Sequence, residues 1–89
     1  MTPDSPTVRW CLVEATRRLA AASATARLDA EVLLAAVLEV PRDRLIGHGD
    51  EAVAPPHFER FLSLVERRCA QEPVAYLVGR KYFFEDAFF

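Results

Sequence analysis

The chain has 89 residues, the size of one small domain, with 52% hydrophobic and 27% charged residues, a balance that excludes a disordered segment. A net charge of −2 lacks the basic excess of a nucleic-acid module, and two cysteines without a CxxC pair are not a secreted disulfide framework. No apolar run approaches the roughly 20 residues that span a bilayer, and Met1–Pro6 has neither the basic nor the apolar stretch of a signal peptide, so the expectation is a cytoplasmic protein with no membrane or direct nucleic-acid partner.

The first helix is predicted to start near Pro6, capped by Asp4 or Ser5, because proline's missing N–H needs no partner in a first turn. Val8, Leu12, Ala15 and Leu19 recur on one helical face, with Arg9, Glu14, Arg17 and Arg18 mostly off it. The small residues Ala22–Thr25 read as a connection. A second helix is predicted from about Ala26 to Glu39, with Ala30, Leu33, Leu34, Val37 and Leu38 facing the core. Val40-Pro41 ends it, since the residue before a proline disfavours the α region.

Arg42–Ile46 reads as a short helical turn and Gly47–Asp50 as a loop. Pro55-Pro56 introduces a helix from about His57 to Gln71, with Phe58, Phe61, Leu62, Val65 and Cys69 inward and Glu59, Arg60, Ser63, Glu66 and Arg67 outward. Both cysteines then act as small buried apolar residues. Glu72–Gly79 reads as one to two helical turns, with Pro73 near the start and Gly79 at the C-terminal cap. Tyr82–Phe89 holds five of the nine aromatic residues and reads as extended chain. The predicted fold class is all-α: a small antiparallel bundle of four to five helices over residues 1–79, followed by an aromatic extended or hairpin segment at 80–89.

The residues that carry chemistry do not assemble into a site. Three glycines, Gly47, Gly49 and Gly79, form no glycine-rich turn that would cradle a nucleotide. His48 and His57, with Asp50 or Glu51, make a poor metal set across a loop and two prolines. Ser5, Ser23 and Ser63 have no nearby base. Asp29 and Glu31 are two positions apart and point to different helix sides. The expectation is no catalytic, cofactor-binding or metal residue in this chain.

Several residues admit two readings. Arg17-Arg18 and Arg67-Arg68 either complement helix C-termini or form a docking patch for an acidic or RNA-bound partner. Asp29 and Glu31 either hold a neighbouring element through Arg27 or Arg44 or favour a helix N-terminus. Tyr76 either packs its ring in the bundle with a wet hydroxyl or contacts a partner. Trp10, beside the main stripe, is expected to be partly buried.

Two segments together carry a resemblance. Residues 26–38, ARLDAEVLLAAVL, are followed by Arg67-Arg68 and then QEPVAYLVG at 71–79. This order and spacing resembles the N-terminal domain of the HemK/PrmC family, with its R-x-D-A-E-x-L-L helix, R-R pair and E-P-[VLI]-A-Y-[IL]-x-G segment. The resemblance implies a helical domain joined by a β-hairpin to a Rossmann-like methyltransferase domain absent from this chain. That catalytic domain would bind S-adenosylmethionine and methylate the glutamine in the Gly-Gly-Gln loop of class I peptide chain release factors.

The partners so implied are the release factor, which the N-terminal domain helps to dock, and the missing methyltransferase domain. Arg60, Arg67, Arg68 and Tyr76 are the candidate partner-binding residues. A structural spacer and a free-standing helical module that dimerises through its aromatic tail are the alternatives. The chain departs from the family at Gln71, where glycine or a charged residue is common, so a bend that relied on glycine must be made differently. Tyr82 and Glu85 also stand where the family has an acid and a glycine.

Overall fold

The computed structural model describes residues 6–78, which form five helices and, among those residues, no strand. The cap expected at Asp4 or Ser5, the Gly79 cap and the aromatic segment at 80–89 lie outside the described residues.

The first helix, α1, spans Val8–Leu19 and starts two residues later than the sequence predicts. Thr7 is its cap: in the extended region, it accepts the Trp10 amide on its hydroxyl at 3.1 Å. Pro6 stays outside the helix because its carbonyl is engaged elsewhere, accepting the Val53 amide at 2.7 Å. Thr7 forms an isolated antiparallel bridge with Ala52, and the Val8 amide donates to the Glu51 carbonyl at 2.9 Å. This short pairing pins the start of α1 to the segment that leads into the fourth helix.

Helix α2 spans Ala26–Leu38 and ends at Glu39, which takes a left-handed conformation with φ 57°. Helix α3 is Arg42–Ile46, as the sequence predicts. Helix α4 spans Pro55–Cys69, so both prolines lie inside its first turn instead of preceding it. Neither needs an amide donor there, and their fixed φ suits the helix. Helix α5 is Val74–Val78.

The senses of the three long helices follow from their contacts. Trp10 meets Phe58 edge-on near the N-terminal ends of α1 and α4, ring centroids 5.8 Å apart. Cys69 Sγ meets the Arg18 carbonyl at their C-terminal ends, at 3.7 Å. These two helices therefore run in the same sense. Helix α2 runs against both, since Asp29 near its start contacts Arg68 near the end of α4. The antiparallel expectation holds for α1–α2 and α2–α4 and not for α1–α4.

The core lies between these helices. Cys11, Leu19, Leu33, Leu34, Phe61 and Val65 are fully enclosed, and Val53 seals it from the loop before α4. The predicted faces of α1 and α2 are buried, save Leu38, which is half-buried against the cluster. On α4 the inward face differs from the prediction. Leu64 is buried, Leu62 is half-buried and Cys69 is exposed. The turn after Val65 presents Arg68 to the interior instead, its side chain 17% exposed.

Candidate docking face

The end of α4, helix α5 and the turn between α1 and α2 meet at one end of the molecule, and three of the four candidate residues lie there. Arg68 is the most enclosed. Its Nε donates to Asp29 Oδ2 at 3.0 Å and its Nη1 donates to the Glu72 carbonyl at 3.3 Å. Asp29 is buried, 6% exposed, and also accepts from Ser23 Oγ at 2.6 Å and from Thr25 Oγ1 at 3.1 Å. Three donors on one carboxylate offset the cost of removing its charge from water.

Asp29 thus has a partner that the sequence reading missed: neither Arg27 nor Arg44, but Arg68, 39 positions away. Glu31 takes Arg27 at 2.9 Å and Arg42 at 3.3 Å. Among the described residues, Arg44 forms no ion pair. Arg68 follows Val65 by one helical step on the inward face of α4, but that spacing does not name Asp29 as its partner.

Arg67 points the other way. Its fork meets the Glu72 carboxylate through two hydrogen bonds, 3.0 and 2.8 Å, and its guanidinium lies over the Tyr76 ring, 6.0 Å from the centroid. The Arg67 hydrogen bond and charge hold the Glu72 carboxyl below its ordinary value of 4.5. Tyr76 is 72% exposed, so its ring does not pack in the bundle as one sequence reading expected. A short helix whose Val74, Leu77 and Val78 turn to the core has no inward position left for it. Arg60 is exposed two turns earlier on α4, with no ion-pair partner among the described residues.

The other paired arginines are accounted for locally. Arg17 grips Glu14 through two nitrogens and Arg18 lies 3.6 Å from the same carboxylate. Hydrogen bonding from Arg17 holds the Glu14 carboxyl below its ordinary value. Both arginines sit in the last turn of α1, as expected for cations at a helix C-terminus.

At the opposite end of the molecule, a pocket of about 190 Å³ is lined by Val8, Leu38, Val40 and Leu45 with Arg44, His48 and Glu51 around them. His48 pairs with Glu51 there. Among the described residues no group of three or more His, Cys, Asp or Glu is placed to hold a metal ion. Within the same residues, no helix is long and apolar enough to cross a membrane.

Comparison with known proteins places this chain in a family. A family model described as PrmC N-terminal domain matches residues 11–79. A release factor glutamine methyltransferase from Moorella thermoacetica is 42% identical over 78 residues, covering 86% of this chain and 28% of the relative. Its namesake in Xylella fastidiosa is 47% identical over 57 residues, covering 64% of this chain and 21% of the relative. Another, from Shewanella oneidensis, is 38% identical over 76 residues, covering 85% of this chain and 25% of the relative. The chain therefore spans less than a third of the length of these relatives.

Proposed function

The chain belongs to the PrmC N-terminal domain family, and on that premise we propose that it is the substrate-docking domain of a release factor glutamine methyltransferase. Its substrate is a class I peptide chain release factor, and the reaction is methyl transfer from S-adenosylmethionine to the glutamine of the Gly-Gly-Gln loop. The methyltransferase domain that binds the cofactor and performs the chemistry lies outside this chain, and the protein works in the cytoplasm. The observation that carries the reading is the family match over residues 11–79, reinforced by relatives that bear the enzyme's name.

The geometry supports docking at the α4–α5 end. Tyr76 offers a broad, amphipathic and largely exposed ring, the kind of side chain that anchors protein interfaces. Arg67, already oriented by Glu72, adds donors to the same face, and Arg60 extends it along α4. Arg68 contributes from beneath, through its contacts to Asp29 and Glu72.

Titration of the isotope-labelled chain with a class I release factor, read by backbone amide NMR, tests the proposal. Shifts concentrated around residues 60, 67 and 72–78 are expected, and Arg67→Glu should weaken the complex. No shifts at high release-factor concentration would overturn docking and leave the domain a spacer beside its catalytic partner. Methyl transfer by the isolated chain would overturn the division of labour.

A further inference from the structure

Three contacts tie the α4–α5 turn to the α1–α2 turn. Gln71 Nε2 donates to the Ala22 carbonyl at 3.2 Å, Cys69 Sγ approaches the Arg18 carbonyl, and Arg68 pairs with Asp29. Arg68 is the only member of the set that also grips the start of α5. Its second nitrogen reaches the Glu72 carbonyl, next to Pro73, whose own carbonyl accepts the amides of Tyr76 and Leu77 at 3.1 Å each. Helix α5 has five residues, none of them buried. A helix that short does not hold its shape alone, because nucleation is costly and few bonds follow. Its direction depends on what fixes its first turn.

We propose that Arg68 is a positioning residue: anchored on the buried Asp29 carboxylate, it fixes the start of α5 and so sets how Tyr76 and Arg67 are presented to a protein partner. The inference deepens the docking reading and rests on it. The chemistry requires these residue types. Ser23 and Thr25 hold the Asp29 carboxylate in place beside Arg68. A guanidinium can then serve two acceptors at once from one rigid fork, the carboxylate on one side and the Glu72 carbonyl on the other. A lysine ammonium can keep the ion pair, but its single flexible point of contact does not hold both acceptors in a fixed geometry. The same arrangement makes the two sides of residues 67 and 68 divide the work: Arg68 sets the helix from within, and Arg67 faces the solvent beside Tyr76.

A pair that only stabilised the bundle would act evenly on all its helices, whereas a positioning pair acts first on α5. Amide hydrogen exchange on the 89-residue chain separates the two. Arg68→Lys is expected to cost the Tyr76 and Leu77 amides about tenfold in protection, the size of one charge-assisted hydrogen bond. Protection at Leu12, Leu33 and Leu34 should hold. An even loss across α1, α2, α4 and α5, no change at Tyr76 and Leu77, or α5 amides already unprotected in the wild type would each overturn the proposal. If Arg68→Lys fails to fold, Ser23→Ala replaces it. That change loosens the Asp29 carboxylate from a surface turn, and a smaller loss confined to α5 is expected.

None of these readings involves a release factor, so they stand apart from the docking test. Wild-type chain that shows no release-factor binding would sink the docking reading alone. Where it binds, Arg68→Lys should weaken the complex, and that weakening should shrink in a Tyr76→Ala background. Fully additive effects of the two substitutions would overturn positioning through α5.

Discussion

Gln71 shows how a single residue other than glycine makes a left-handed bend without breaking the fold. It takes φ 74°, in the left-handed region that glycine occupies freely and other residues enter at about 1 kcal/mol or more. The bend expected to be made differently is made by Gln71 itself, and its side chain offsets the strain by donating to the Ala22 carbonyl. Gln71→Ala keeps the strain and loses the hydrogen bond, whereas Gln71→Gly loses the bond and relieves the strain. The glycine variant should therefore be the more stable of the two by roughly 0.5–1 kcal/mol, measured by denaturant unfolding, the reverse of the usual order of alanine and glycine.

The two cysteines separate in the same way, by position and not by chemistry. Cys11 is fully enclosed and burial pushes its thiol from 9.0 up to about 11. Cys69 is exposed. Alkylation of the native chain at neutral pH should modify Cys69 and spare Cys11 until the chain unfolds. The sign of the pH effect follows from linkage. The unfolded chain loses the Cys11 proton first, so stability falls as pH rises from about 9 toward 11, and a Cys11→Ser variant should lack that slope. The expectation that a free cysteine is buried holds for Cys11, but periodicity puts Cys69 on the wrong side, because one residue's shift around α4 exchanges it for Arg68. An arginine is not expected inward unless its partner is known, and Asp29 lies too far along the chain for any local pattern to reveal the pairing.

At the scale of elements, the long helices are legible because their apolar residues repeat at helical spacing, and α3 is legible from its flanking proline and glycine. The boundaries are less so. The start of α1 is decided by competition for Pro6 between the helix and the extended pairing with residues 51–53, and the pairing wins because Thr7 supplies a cap that Pro6 cannot. Thr7→Ala removes the hydroxyl that accepts the Trp10 amide and should cost about 1 kcal/mol, while Thr7→Ser should restore most of it. The far-ultraviolet signal of the folded chain should stay nearly constant, with the change appearing in the thermal midpoint. Loss of stability in the serine variant equal to that in the alanine variant would show that the threonine methyl, and not the cap, is what matters. Helix α5 is readable from Pro73, but the outward placement of Tyr76 is not, since five residues give no periodicity to judge.

The whole molecule is held by one core, and its size decides which defects stay local. A chain of 89 residues has a total stability on the order of 4–13 kcal/mol. Phe61 is 1% exposed and is the largest of the enclosed side chains, standing on α4 among residues contributed by α1 and α2. Phe61→Ala removes its contacts and leaves a cavity, a loss of about 3–5 kcal/mol that consumes much of that total. The outcome expected is global: urea midpoints fall sharply, and the amides of Leu12, Leu33 and Tyr76 lose protection together. A loss confined to α4 would mean that the helices unfold as separate units. The contrast with Arg68→Lys gives the comparison its force. One substitution weakens the shared core and every helix follows, whereas the other loosens the grip on α5, whose few apolar contacts put it at the low end of local stability. Helix α5 can therefore yield locally at little cost to the bundle that carries it.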